Sequence, residues 1–346
     1  MLETKFYIYC PAGKVTGGAE LLHQLADVLN KNNYKAYIVY YGNHSHSIPD
    51  DYKKYQINVS DAIIDSVENV VVLYEGCFEP LENIKNAQVV LWWLSVDNFY
   101  LCQPSNIKLK DLAEYSGLLF FKELLKKFLK KRKKFIFSIE QLTKKENIVF
   151  NAYQSEYAKD FLLKHDFGNL IPLKDYVNDE YVYDEKIAKG KENIVLYNPK
   201  KGIKFTKKLI AASPDIEWVP IQNMTRAQVK QTMLKAKVYV DFGYHPGKDR
   251  IPREAAMCGC CVVTGKCGSA GYYKDVPIDE NRYKFNQKKK DIPFIISRIK
   301  ELMNDYDLLI NDFASYRDAI AAEKKEFICD SLNMAQMVMK NKGEAK

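Results

Sequence analysis

Two apolar runs, Asn69–Tyr74 and Gln88–Leu94, do most to restrict what this chain can fold into. Each is nearly unbroken and is bounded by polar loops. Alternation of apolar and polar residues marks a strand with one wet face; an unbroken run of this length marks a strand covered on both faces, as in a parallel sheet. Neither run approaches the length of a membrane-spanning helix, which excludes a multi-span membrane chain. Around them the pattern alternates. Lys5–Cys10 reads as a strand, and Ala19–Asn30 as a helix with Leu21, Leu22, Leu25, Ala26 and Leu29 on one face. Lys35–Tyr41 and Asn147–Tyr153 read as further strands. The alternation predicts an α/β fold of the doubly wound kind.

A second series begins near Asn193. Strands are predicted at Asn193–Tyr197, Trp218–Ile221, Val238–Phe242 and Cys261–Thr264, with helices at Phe205–Ala212, Arg226–Ala236 and Arg253–Cys258. Ile295–Tyr306 and Leu308–Met339 read as mostly helical. A chain of 346 residues suits two domains at roughly 150 residues each. The expected division is a first domain at 1–175, a second at 190–320 and a last helix at 321–346, with the linker inside Leu173–Lys191.

Composition narrows the function. The net charge is +8, but Lys122–Lys134 alone carries +7, which leaves the remainder of the chain at +1. A nucleic-acid binder would spread its basic residues over a broader face. The eight cysteines do not form a spaced disulfide framework, and a core of this size needs none. Met1–Cys10 lacks the basic start and small-residue cleavage site of a signal peptide, so a cytoplasmic location is expected.

Three segments carry candidate chemistry. Gly13-Lys14-Val15-Thr16-Gly17-Gly18-Ala19-Glu20 follows the first strand and opens the first helix. Glycines there allow close backbone approach, and the helix start offers free N–H groups to an anion. An ordinary tight turn fits the same residues. Tyr197-Asn198-Pro199-Lys200-Lys201-Gly202 ends the first strand of the second series. Its lysines suit a phosphate, and a solvated turn is the plain alternative. The third segment runs from Asp241 through His245, Gly247, Lys248, Asp249 and Arg250 to Glu254-Ala255-Ala256-Met257-Cys258-Gly259. Amides around Gly247–Ile251, with Lys248 and Arg250, suit a diphosphate. Glu254 can accept hydrogen bonds from ribose hydroxyls, or simply favour a helix N-terminus.

Together these segments resemble the retaining nucleotide-sugar glycosyltransferases of the GT-B fold. The matching residues are Gly17-Gly18-x-Glu20, Lys201-Gly202 and Glu254-Ala255-Ala256-x-Cys258-Gly259, which lie roughly 180 and 50 residues apart and span most of the chain. The nearest subgroup builds bacterial capsule, lipopolysaccharide or other surface glycans. The resemblance implies two Rossmann-like domains facing a cleft, with the nucleotide on the C-terminal domain and the acceptor on the N-terminal one. It implies that Glu254 binds ribose, that Lys201 binds the diphosphate, and that Gly17 and Gly18 belong to a loop closing over the donor. It also implies a last helix that returns to the N-terminal domain, retention by same-face attack, and no cofactor or metal.

Two departures stand out. The family glutamate eight positions before the ribose-binding one is replaced by Pro246, so His245, Lys248 or Asp249 is left to meet the donor sugar. Where many members carry a histidine, this chain has Trp92-Trp93-Leu94-Ser95-Val96-Asp97-Asn98. Asp97 either handles the acceptor hydroxyl or caps a turn. Asp97 and His245 are therefore the candidate catalytic residues. Phe120–Lys134 reads as a basic amphipathic helix in an insertion at 118–137, with Phe121, Leu124, Leu125, Phe128 and Leu129 on one face. Lys126, Lys127, Lys130 and Lys131 are then expected against an anionic membrane surface, at the inner face, where a lipid-linked glycan acceptor would sit. The alternative is a core-packed helix with a solvated lysine face. Cys258, Cys260, Cys261 and Cys267 read as small residues around a helix-to-strand turn before they read as metal ligands. Competing functions are a nucleotide-sugar epimerase on the same fold, a non-catalytic nucleotide or glycan binder, and a nucleic-acid binder using the lysine run.

Overall fold

Seven strands in the N-terminal half pair in parallel: β1 (Lys5–Pro11), β2 (Lys35–Tyr41), β3 (Asn58–Val59), β4 (Val70–Tyr74), β5 (Gln88–Trp93), β6 (Ile148–Tyr153) and β7 (Leu170–Pro172). Their order is β3-β2-β1-β4-β5-β6-β7 in the computed structural model, which describes residues 3–42, 44, 46–102 and 137–344. The apolar runs are central. Val70, Val71, Val72, Leu73, Val89, Val90, Leu91, Trp92 and Trp93 are all fully buried. At about 1.5–3 kcal/mol for each large apolar side chain taken from water, these two strands contribute much of this unit's stability. The lysine-rich segment and its Lys126, Lys127, Lys130 and Lys131 lie outside the described residues.

The chain divides into two compact units, Met1–Asp175 with Lys325–Lys346, and Tyr176–Lys324. In the first, the opening helix runs Gly17–Lys31, two residues ahead of the apolar period, because the Thr16 hydroxyl accepts from the Ala19 N–H at 3.4 Å and caps it. Helices at Val96–Cys102 and Glu156–Lys164 were not apparent from periodicity; Ser155 caps the second through the Ala158 N–H. An aromatic cluster closes this core. Trp93 meets Phe78, Phe99, Phe161 and Phe167 with ring centres 5.1–6.4 Å apart. The long last helix, Ala314–Glu344, supplies Phe327, which stacks on Trp92 at 6.2 Å. Lys174 pairs with Glu326 of that helix at 2.9 Å.

In the second unit, β8 (Glu192–Tyr197), β9 (Glu217–Pro220), β10 (Ala236–Asp241), β11 (Cys261–Gly265) and β12 (Lys284–Phe285) form a parallel sheet in the order β12-β11-β10-β8-β9. Val238, Tyr239, Val262 and Val263 are fully buried at its centre, with Leu209 of the helix Ile203–Ala212 and Ile295, Ile299 and Leu302 of the helix Ile292–Asn304 packed in the same core. The helix after β10 spans Arg250–Met257, three residues earlier than its apolar residues suggest. Asp249 is its N-cap residue, and Pro252 falls in the first turn, where a missing N–H costs nothing. The Cys260 thiol points at the Met233 and Ala236 carbonyls, both at 3.3 Å, and the Lys191 ammonium donates to the same two carbonyls and to that of Cys258. Burial pushes the Cys258 thiol up to about 12. These sulfurs pack; they are not poised to ligate. Among the described residues, no helix is long and apolar enough to cross a membrane.

Candidate functional site

In the second sheet, β8 and β10 are neighbours, but the chain leaves β8 for β9 on one side and β10 for β11 on the other. In open α/β sheets ligands bind in the crevice that such a reversal opens at the carboxyl ends of the strands. Two loops start there, Asn198–Gly202 after β8 and Phe242–Asp249 after β10. They interlock tightly. Gly202 has φ +60°, and a Cβ on it would stand 2.2 Å from the Phe242 carbonyl oxygen. A Cβ on Gly243 would stand 2.4 Å from the Lys201 Cβ. The glycine of Lys201-Gly202 is thus required by left-handed backbone and by close approach together.

This contact brings Lys201 over the Asp241–Asp249 loop, where four charged groups converge. Asp241 ends β10; its carboxylate accepts from the Tyr239 hydroxyl at 2.8 Å and from the Gly243 N–H at 2.8 Å. His245 Nε2 lies 3.5 Å from Asp241 Oδ1, and its Nδ1 lies 3.5 Å from Asp249 Oδ2. The Lys201 ammonium sits on that same Asp249 oxygen at 2.5 Å. Burial alone would depress the His245 pKa, but Asp241 and Asp249 outweigh it and hold the ring above its ordinary 6.5. Burial likewise works against the Asp241 charge, and His245, Lys201 and the Gly243 N–H overcome it, so its pKa falls below the usual carboxylate value. With the ring protonated, the set is balanced: one imidazolium and one ammonium with two carboxylates. Among the described residues, Asp241, His245 and Asp249 are also the one His/Cys/Asp/Glu group whose ligand atoms gather within 4.8 Å of one another. The two carboxylates, however, face opposite ring nitrogens, and Lys201 occupies the oxygen of Asp249. A metal there would need one ring nitrogen and both carboxylates on a common point, with Lys201 displaced from Asp249.

A second ionic group holds the loop from behind. Glu323, on the last helix, accepts from Arg253 at 2.7 Å and from Lys248 at 2.7 Å. Arg253 also donates to the carbonyl oxygens of Lys248 at 2.9 Å and Asp249 at 3.2 Å. On the β11 side, the Ser269 N–H donates to the His245 carbonyl at 2.9 Å and its hydroxyl to that of Gly247 at 2.6 Å. Gly247 therefore serves as a fixed backbone point. Glu254 is half-buried one turn into the helix. Burial raises its pKa, and Arg250, Arg253 and Arg226 pull the other way.

In the first unit, the matching reversal falls between β1 and β4. Gly17 opens the helix after β1, and a Cβ on Gly18 would lie 3.9 Å from a Leu94 methyl. Asp97 sits in the first turn of Val96–Cys102, 5% exposed, and accepts from the Tyr157 hydroxyl at 3.3 Å. Sequence reasoning misses Glu75, which bonds to the backbone just before this helix. It follows β4, is fully buried, and accepts from the Leu94 N–H at 2.8 Å. Burial pushes its carboxyl up to about 8.

The structure thus gathers Lys201, His245, Gly247, Lys248 and Asp249 at one sheet reversal, with Arg250 and Glu254 following on the adjoining helix. Gly17, Gly18 and Asp97 lie at the carboxyl end of the other sheet. The expectation that His245 meets the donor sugar directly is not how the ring is placed: it is 1% exposed, and its nitrogens face protein carboxylates. Lys248 is turned to Glu323. Asp241 and Glu323 carried no signal, the first because it reads as the end of a strand, the second because it lies 70 residues from Arg253 on a helix rich in charge.

No protein-family model and no curated protein sequence matches this chain. Solved structures do. A sucrose-phosphate synthase from Thermosynechococcus elongatus is 14% identical with a TM-score of 0.61, covering 98% of both chains. A glycosyltransferase from Rickettsia africae is 14% identical with a TM-score of 0.61, covering 99% of this chain and all of its own. The pneumococcal O-GlcNAc transferase GtfA, solved with UDP and GlcNAc, is 9% identical with a TM-score of 0.60, covering 97% and 99%. With its two parallel-sheet α/β units, the chain has the GT-B fold, built of two Rossmann-like domains.

Proposed function

We propose that this protein is a glycosyltransferase that moves a sugar from a nucleotide diphosphate sugar to a surface-glycan acceptor, with retention and without a metal. The observation that carries the reading is the Lys201 ammonium at the β8/β10 reversal, beside the loop and helix start that follow β10. A departing nucleoside diphosphate needs fixed positive charge where its negative charge develops, and preorganised cations and amides supply it without reorganisation. Lys201 meets the diphosphate, Arg250 and the N-terminus of Arg250–Met257 add charge and N–H donors, and Glu254 takes the ribose hydroxyls. With these cations neutralising the phosphates, the chemistry asks for no divalent ion. Asp97, in the other unit, orients the acceptor hydroxyl or takes its proton.

The structural neighbours support the donor class: GtfA was solved with UDP and GlcNAc, and a TarM structure with UDP and an α-GlcNAc-glycerol. WaaG, described as a glycosyltransferase of lipopolysaccharide biosynthesis, is 12% identical with a TM-score of 0.52 and supports the surface-glycan acceptor. We place the enzyme at the cytoplasmic face of the membrane, held there by the lysine-rich segment.

A thermal-shift panel of nucleotides and nucleotide sugars tests the donor site. A ligand at about 100 times its Kd adds roughly 2.7 kcal/mol to stability. The expected result is stabilisation by one nucleoside diphosphate, weakened by Lys201→Ala and by Glu254→Ala. If no nucleotide stabilises the protein at millimolar concentration, the donor site is elsewhere or absent.

A further inference from the structure

We propose that His245 is a positioning residue for the diphosphate: its imidazolium takes over Asp249 when Lys201 leaves that carboxylate for the incoming phosphates. The inference rests on the reading of Lys201 as the diphosphate lysine.

Asp249 Oδ2 is shared between the Lys201 ammonium at 2.5 Å and His245 Nδ1 at 3.5 Å, and with the ring protonated the group is electrically balanced. The two cations differ in freedom. The Lys201 side chain is 33% exposed, whereas that of His245 is 1% exposed. Lysine can swing towards a ligand; the histidine cannot. When the ammonium swings away, Asp249 would be left as a bare carboxylate next to a polyanion, and like charges at that range repel strongly. The imidazolium removes that penalty. Closing the 3.5 Å gap to a charge-assisted hydrogen bond needs less than an ångström of movement.

A neutral ring cannot do this. It has one N–H for two carboxylates, and Asp241 already competes for it at the same distance. Asp249 would then hold Lys201 as its sole full counter-charge, and the diphosphate would meet an extra negative charge. Among the described residues, the charged groups around the ring are few. Asp241, held by the Tyr239 hydroxyl, faces it from β10, Asp249 from the cap of Arg250–Met257, and Lys201 from the loop after β8. The loop after β11 presents backbone, with the His245 N–H donating to the Cys267 carbonyl and the Ser269 N–H to the His245 carbonyl. Tyr316 of the last helix lies within electrostatic reach of Asp249. Asp241 and Asp249 prevail over burial and over Lys201, which places the loss of the proton above the ordinary histidine value.

The test uses the full-length protein and inorganic diphosphate as the probe, with Kd measured by calorimetry from about pH 5.5 to about pH 8.5. Diphosphate itself titrates in this range, so the quantity read is the ratio of wild-type Kd to that of Asp249→Asn. That ratio is expected to rise about tenfold with pH, the scale of one charge-assisted hydrogen bond. In His245→Asn, binding is expected to be weak at every pH, and in the His245→Asn/Asp249→Asn double variant it returns, because no carboxylate is left to neutralise. Wild-type protein gives an independent reading: by linkage, bound diphosphate must raise the His245 pKa seen in its ring-proton NMR signal. A pH-independent ratio, or a His245 pKa that diphosphate leaves unmoved, overturns the proposal. If Lys201→Ala binds diphosphate as wild type does, the donor-site reading itself fails. If Lys201→Ala loses binding while the ratio stays flat, only the role of His245 fails.

Discussion

Removing the charge of Glu323 should unfold one half of this protein long before the other. Its carboxylate is 3% exposed and holds two cations, Arg253 at 1% exposure and Lys248 at 10%, each at 2.7 Å. Glu323→Gln keeps the shape but leaves two buried positive charges with one neutral amide between them. Breaking a buried pair by removing one partner costs about 3–5 kcal/mol, because the remaining charge stays desolvated. Two hydrogen bonds to charged groups, at about 1.5–3 kcal/mol each, give the same scale. For a unit the size of Tyr176–Lys324, 1 kcal/mol moves the melting point by about 2–4 °C, so a fall of roughly 6–20 °C is expected.

The assay is urea unfolding followed by tryptophan fluorescence. Trp218 is the one tryptophan of this unit, and Trp92 and Trp93 belong to the other. In a Trp92→Phe/Trp93→Phe background the signal reports Tyr176–Lys324 alone. Arg253→Met/Glu323→Met, which removes the buried pair and leaves Lys248 able to reach water, should recover much of the loss. A loss below about 1 kcal/mol in Glu323→Gln would match an exposed ion pair and refute the claim that this group is desolvated.

Gly202→Ala should cost about 2 kcal/mol or more in the same urea assay, since a Cβ at φ +60° would stand 2.2 Å from the Phe242 carbonyl. Glu75→Gln should leave stability unchanged near pH 4 and raise it at pH 8. Its folded pKa of about 8 lies above the ordinary 4.5, so wild type loses about 1.4 kcal/mol per pH unit as the unfolded chain ionises across that window. Equal pH profiles for the two proteins would show that this carboxyl is not held protonated. Lys248→Met should lower the unfolding midpoint and leave the nucleotide Kd within about twofold, whereas Lys201→Met should do the reverse, weakening the nucleotide about tenfold.

The sheets were legible because parallel strands buried on both faces leave unbroken apolar runs, as β4 and β5 do. The strands that leave no trace, Asn58–Val59, Leu170–Pro172 and Lys284–Phe285, are two or three residues long, too short for any period to show. Val96–Cys102 hides for a different reason: it is seven residues long and only Leu94 and Ser95 separate it from β5, so no helical period has room to show. Lys201 and Glu254 stand where their sequence motifs put them, after β8 and in the helix after β10. The spacing of Asp241, His245 and Asp249, four residues each time, was in plain view, yet it falls in a loop where helical geometry does not apply. Only the fold of Phe242–Asp249, pinned by Gly202, Ser269 and Arg253, turns that spacing into a convergent group.

Reading the sequence alone treats Lys201 and Lys248 as equivalent diphosphate ligands, and burial separates them. Lys248 is 10% exposed against a carboxylate at 3%, so taking it to a ligand would strand Glu323 and Arg253 out of balance inside the unit. Lys201 is 33% exposed against a carboxylate at 17%, in a setting where an ion pair contributes about 1 kcal/mol or less and is readily exchanged. A charged-assisted contact with a phosphate is the stronger partner for an exposed ammonium. The exchange still leaves Asp249 behind, and what decides whether it is favourable is the counter-charge that remains. Among the described residues, His245 is the one group in contact with that carboxylate through a titratable nitrogen and too buried to follow the lysine outward. If the exchange occurs as proposed, the loop that carries Pro246 acts through the buried ring one residue earlier, which touches Asp249 and not the sugar.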